Sequence, residues 1–271
     1  MDTIKLSSPA TKEFWEISVL REDDHLLALD KPAGLLTTPD PLTPDRPSLM
    51  DLLHAGIAAG KPWATSRKLV YLSNPHRLDP DTSGVLLLAK NKPAHLALAD
   101  LFGTEKPVRK HQVLVRGTPE ETAFEVDAPI GPHPVKAGLM RVDLQEGKKS
   151  KSRFTVLELF ALHGFALLEC EPLTQRPHQI RVHLRHAGLT VVGDELYGGK
   201  PLWLSRLKRD YRLKPGREER PLVARTALHA NELTLVHPVT KEAVRIESEF
   251  PKDFKVALKY LRLYSGNVPV A

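Results

Sequence analysis

Apolar and polar positions follow two different rhythms along this chain. From Ile17 to Asp30 the sequence ISVLREDDHLLALD places two short apolar runs around a charged turn at Arg21–Asp24, which predicts a β-hairpin. Val85–Ala89 is an unbroken apolar run and reads as a buried strand. Pro93–Phe102 then carries Leu96, Ala97, Leu101 and Phe102 at helical spacing, with a proline near its start. His111–Val115 reads as another short strand, closed by Gly117. Across 153–171, Phe154, Val156 and Glu158 alternate with Thr155, Leu157 and Leu159. His163-Gly164 supplies a turn and Phe165–Cys170 returns, which makes a second hairpin. His178–Ala187 predicts a helix with Ile180 and Leu184 on one face and Gly188 as its stop. Val223–Val236 is mixed and ends at His237-Pro238, and Lys252–Tyr264 predicts a closing helix with Phe254, Leu258 and Leu261 as its stripe.

Short strands and helices are therefore interspersed, with no internal repeat and no βαβ rhythm. The expected class is α+β with a largely antiparallel sheet. Residues 1–15 read as an N-terminal arm and 16–265 as one domain, because no linker divides the chain. Residues 37–48, with four prolines, read as a loop.

Composition narrows the classes. Apolar residues make up 41% and charged residues 27%, the balance of an ordinary globular protein. The 23 prolines favour turns and edge strands over long helices. The lone cysteine, Cys170, excludes an internal disulfide and a cysteine-rich zinc site. No apolar run is long enough for a membrane span, and the first 15 residues lack a signal-peptide core. A cytoplasmic location is expected. The net charge of +6 hints at a polyanionic partner, so the placement of the charge carries more weight than its sum.

Two polar clusters stand out. His76-Arg77-Leu78-Asp79-Pro80-Asp81-Thr82-Ser83-Gly84 leads straight into the apolar strand from Val85. Asp-Pro-Asp-Thr-Ser-Gly is good turn chemistry, and a polar loop feeding a buried strand also sets its side chains where active sites tend to lie. The second cluster, Thr174–His186, holds three arginines, three histidines and no acid. Arg181 and Arg185 stand four apart and repel mildly on a helix, so an anion is expected to compensate, either a buried carboxylate or a phosphate chain. A solvated basic face is the plainer alternative.

These segments carry a specific resemblance. His76–Gly84 followed by Val85-Leu86-Leu87-Leu88-Ala89-Lys90 resembles the active-site motif of the RluA family of RNA pseudouridine synthases. Arg176-Pro177-His178-Gln179-Ile180-Arg181-Val182-His183-Leu184 resembles a second motif of that family. Val192–Gly198, Lys31-Pro32-Ala33-Gly34, and Leu228-His229-Ala230 with His237-Pro238 are similar to further stretches of it, all in the right order.

The resemblance implies the pseudouridine synthase fold: a largely antiparallel mixed sheet flanked by helices, with a central catalytic cleft and without an S4-type RNA-binding module. It implies Asp79 as the catalytic aspartate, Arg77 as the arginine that displaces the base, and Arg181 as the arginine that pairs with the aspartate. The segment Arg109–Gly117 stands where the family has a base-stacking tyrosine. His111 falls on that position and Arg109 on a family lysine. An imidazole can stack on a base, and Tyr197 is a second aromatic for that role. The expected site is Asp79, Arg181 and His111 for catalysis, with His76, Arg77, Thr82, Arg176, His178, Gln179 and Tyr197 for substrate binding. The implied partner is ribosomal or transfer RNA. No cofactor, metal or membrane is implied, and a monomer is expected.

The chemistry suits these residues. Pseudouridine formation breaks the N1–C1′ bond of uridine, turns the base and rejoins it through C5, with no redox change and no hydrolysis. One ionised carboxylate beside the ribose is the minimum requirement, and a guanidinium partner keeps such a group charged. Extruding the nucleotide costs a few kcal/mol, and the flat guanidinium of Arg77 fits the vacated stack. Residues 206–220, with seven basic and three acidic side chains, and 148–153, with four basic and none acidic, are expected to clamp phosphates. Replacing Arg181 by methionine is expected to abolish activity with the fold retained. A nucleosidase-type hydrolase is the nearest chemical rival, and an RNA-binding protein without synthase activity the nearest of another class.

Overall fold

The computed structural model describes residues 2–104 and 107–269. In chain order the strands and helices are β1 (Thr3–Ser7), β2 (Phe14–Glu22), β3 (Leu26–Lys31), α1 (Leu49–Ala58), α2 (Pro62–Ser66), β4 (Ser83–Ala89), α3 (Lys92–Gly103) and β5 (Val108–Arg116). There follow β6 (Ala123–Asp127), β7 (Ile130–Pro132), β8 (Met140–Val142), β9 (Lys151–Phe160), β10 (Phe165–Pro172), α4 (Gln179–His186), β11 (Thr190–Val191) and α5 (Leu204–Leu207). The chain closes with β12 (Leu228–Val236), β13 (Ala243–Glu247), α6 (Lys252–Tyr264) and β14 (Asn267–Pro269). The α+β class holds. Where the single domain over 16–265 was expected, the chain divides into two compact units: Met1–Arg109 with Ala230–Glu249, and Lys110–His229 with Phe250–Ala271.

The first unit is built on an antiparallel run β1-β2-β3-β4, with β13 paired to β12. The expected N-terminal arm is a strand in this sheet: Thr3–Ser7 pairs with Phe14–Ser18 and buries Ile4 and Leu6. Alternation explains why β3 and β4 read as continuous apolar runs. Leu27, Leu29, Leu86 and Leu88 face Leu49 and Leu53 of α1, whereas Leu26, Ala28, Val85 and Leu87 face Ala94, Leu98 and Phe102 of α3. Each of these buried leucines contributes about 1.5–3 kcal/mol. The helix expected over Pro93–Phe102 is α3. Its cap is Asn91, whose Oδ1 accepts from the Ala94 amide at 2.9 Å. Helices α1 and α2, which the apolar pattern left unread, meet where Gly56 lies under Trp63; a Cβ on Gly56 would stand 2.3 Å from the indole.

The second unit holds the β9–β10 hairpin, with β10 also paired to β5 and β9 to β6, all antiparallel. The hairpin and its turn lie where the alternation placed them, with one bulge between Leu167 and Leu168. Its core joins Val113, Leu114, Phe154, Phe160 and Leu168 to Ile180 and Leu184 of α4 and to Phe254, Leu258 and Leu261 of α6. The two helices expected from their stripes therefore bury those stripes.

Candidate active site

Four of the expected site residues share one loop of the first unit. The turn reading of the loop is right: the Thr82 amide donates to the Asp79 carbonyl at 3.1 Å. The loop is pinned through its backbone from several sides. Lys31, fully buried, donates through Nζ to the carbonyls of Pro32, Pro80 and Thr82 at 2.9, 2.9 and 3.0 Å. The Gly34 amide donates to the Pro80 carbonyl at 3.0 Å. The Thr37 hydroxyl donates to the Leu78 carbonyl at 2.9 Å and accepts from the Leu78 amide at 3.2 Å. Buried polar groups of this kind must be satisfied, and here satisfying them fixes the peptide on either side of Asp79. Gly84 closes the loop at φ 114°, where a Cβ would stand 2.1 Å from the Ala230 carbonyl oxygen, so only glycine fits. Asp79 is half-buried and Arg77 exposed.

His76, expected at the substrate, is buried behind the loop. Its ring stacks on Phe102 at 4.7 Å between centroids, and Nε2 accepts the Leu87 amide at 3.0 Å. Burial, with the nearby Arg109 charge, lowers its pKa from 6.5 to about 3. The pKa is depressed on folding, so below pH 6.5 the unfolded chain takes up a proton that the native ring refuses. Stability is therefore expected to fall by about 2 kcal/mol between pH 7 and pH 5. Urea titrations at the two pH values check this, and His76→Asn, which keeps an acceptor without a titrating ring, should flatten the difference. Thr82 is likewise buried, and its carbonyl serves Lys31.

The remaining candidates lie in the second unit, most of them around α4. Arg181 is buried, and its Nε and Nη2 donate to the two carboxylate oxygens of Asp194, each at 2.7 Å. The buried carboxylate that the basic cluster called for is therefore Asp194, a residue of the Val192–Gly198 motif to which sequence reasoning gave no role. Its position rests on Gly193, φ 73°, where a Cβ would stand 2.0 Å from the Arg225 carbonyl oxygen. Tyr197, the second aromatic expected for stacking, lies against Arg181. It is buried, the Arg181 guanidinium lies 4.8 Å over its ring, and its hydroxyl meets His178 Nδ1 at 2.7 Å and the Met140 amide at 3.0 Å. The ring packs Arg181 in place.

Gln179 is buried and hydrogen-bonded within the unit. Its Nε2 donates to the Lys151 carbonyl and to Ser152 Oγ, both at 2.9 Å, and its Oε1 accepts from Thr174 Oγ1 and the Arg176 amide. His183 is fully buried between Ser152 Oγ and the Ala128 carbonyl, and burial lowers its pKa. Helix α4 is therefore a basic helix with a buried interior-facing polar set, not a solvated face. Arg176 and His178 remain half-buried at its start, where His178 takes φ 54°. His111 lies in β5 opposite Cys170, buried and on the same side of the strand as Val113. The 148–153 clamp is partly spent internally, since Lys151 and Arg153 pair with Glu125, and Arg153 also with Glu171.

The polar loop that carries the half-buried Asp79 belongs to an α+β fold, and no helix among the described residues is long and apolar enough to cross a membrane. Comparison with known proteins completes the assignment. Residues 25–186 match the family model described as RNA pseudouridylate synthase. The chain is 36% identical over 252 residues to ribosomal large subunit pseudouridine synthase D of Pseudomonas aeruginosa, covering 91% of this chain and 72% of that one. It is 35% identical over 246 residues to ribosomal large subunit pseudouridine synthase C of Escherichia coli K12, covering 90% and 70%. Among solved structures it resembles human RNA pseudouridylate synthase domain containing 4, with a TM-score of 0.65, 25% identity and coverage of 90% and 93%. The chain belongs to the RNA pseudouridylate synthase family and isomerises uridine in RNA to pseudouridine. Neither the hydrolase nor the inactive RNA-binding alternative is favoured by these relatives.

Proposed function

We propose that this enzyme acts on ribosomal RNA of the large subunit, with Asp79 as its catalytic carboxylate. The observation that supports the residue assignment is the backbone clamp of Lys31, Gly34 and Thr37 on Leu78, Pro80 and Thr82, which fixes the loop that carries Asp79. A preset position is what a group acting at a ribose carbon needs. Arg77, exposed beside it, takes the place of the extruded base. Arg181, oriented by Asp194 and Tyr197, supplies the guanidinium of the reaction, and His111 keeps the family's stacking position. Arg176 and His178 are proposed RNA contacts. The reading takes the chain as a monomer that needs no metal ion, since an isomerisation without hydrolysis or redox change asks only for an ionised acid.

The substrate class rests on the names of the two bacterial relatives, both ribosomal large subunit pseudouridine synthases. Pseudouridine mapping in RNA from cells with and without the gene tests it. The expected result is the loss of one or a few pseudouridines in large-subunit ribosomal RNA. Loss confined to transfer RNA would replace the substrate while leaving the activity in place.

A further inference from the structure

The second unit carries a groove of about 490 Å³ away from the residues discussed so far. Arg116, His163, Phe165, Lys200, Trp203 and Arg206 line it, and no carboxylate does. Arg116, Lys200 and Arg206 are exposed, whereas Trp203 is half-buried and Phe165 buried. His163 is fixed by a 2.8 Å hydrogen bond between Nδ1 and Ser265 Oγ. The groove thus combines an indole, three exposed cations and a held imidazole. A neutral apolar ligand would not need the cations, and a peptide carboxylate would not need three of them beside an indole. A nucleotide uses both parts, with its base on the aromatic face and its phosphate on the arginines.

Resting on the RNA substrate already assigned, we propose that this groove holds a single-stranded nucleotide of the substrate RNA outside the target uridine, stacked on Trp203 and gripped by Arg116 and Arg206. Arg206 is also the first residue of the basic 206–220 segment, so the groove gives that segment a defined starting contact. Base–aromatic stacking tolerates any base, so the contact adds affinity without reading sequence.

The test uses the full chain carrying Asp79→Asn, which prevents turnover, and Trp15→Phe with Trp63→Phe, which leaves Trp203 as the only indole. A single-stranded decauridylate is titrated while Trp203 emission and RNA anisotropy are followed together. Emission is expected to quench and saturate with the anisotropy change. Trp203→Leu should weaken binding by about ten-fold. Arg116→Gln with Arg206→Gln should lower the slope of log affinity against log salt by about 1.4, the release of roughly 0.7 ion for each of two single-strand phosphate contacts. Unmoved Trp203 emission in a complex that anisotropy detects, or an unchanged salt slope, overturns the groove while leaving the RNA assignment intact. Absence of any RNA binding by the unsubstituted chain would defeat both.

Discussion

Asp79→Asn is expected to lower pseudouridine formation by about 10³-fold or more while leaving the thermal unfolding curve in place. The amide keeps the shape of the side chain and removes only its charge and its basicity. The loop around it is held by backbone carbonyls and amides that Lys31, Gly34 and Thr37 engage, and the substitution leaves those contacts in place. Nucleoside analysis of RNA incubated with each protein measures the yield, and circular dichroism melting measures the fold. Equal yields from the two proteins would remove Asp79 from the chemistry and return the loop to a structural turn.

Arg181→Met carries the second large effect, and it falls on stability as well as activity. The fold is expected to be retained but less stable. Asp194 is 1% exposed and Arg181 5%, so removing the guanidinium strands a carboxylate in the protein interior. Breaking a buried pair from one side costs about 3–5 kcal/mol. That corresponds to a drop in Tm on the order of 10 °C for a chain of this size. Asp194→Leu in the Arg181→Met background removes the stranded charge and should recover most of the stability without recovering activity. Calorimetry on the single and double variants separates the two contributions. A single variant as stable as the parent would show that Asp194 finds another partner, and a fully active double variant would show that Arg181 serves the fold alone.

The two clusters from which the site was read were legible for different reasons. His76–Gly84 announced itself because a run of turn-forming polar residues met an apolar strand, and the strand is where the pattern put it. Thr174–His186 announced an unbalanced charge, and the structure supplies a buried acid for it. Which acid was not legible, because Asp194 lies thirteen residues from Arg181 along the chain, and only folding brings it to the guanidinium. His76, Gln179 and Tyr197 look like ligand-binding residues in a sequence, since polar side chains in a functional motif read as contacts. Burial turns each of them inward, where their hydrogen bonds hold neighbours in place. Lys31 was hidden for the opposite reason: a lysine at a strand end reads as exposed, and here it is buried among three carbonyls. Helices α1 and α2 escaped because Gly56, Gly60 and Pro62 interrupt a stretch whose packing depends on Trp63.

The absence of a linker in the sequence has a structural counterpart with practical weight. The chain passes from one compact unit to the other three times, within β5, within β12, and between Glu249 and Phe250. Neither unit is a continuous stretch of polypeptide. A gene cut at residue 109 strips the first unit of Ala230–Glu249 and leaves those residues inside the fragment that carries the second, and a cut at residue 229 divides both units. Dissecting the two halves calls for a rearranged gene that rejoins Ala230–Glu249 to the N-terminal portion, or for fragments produced together and allowed to complement one another.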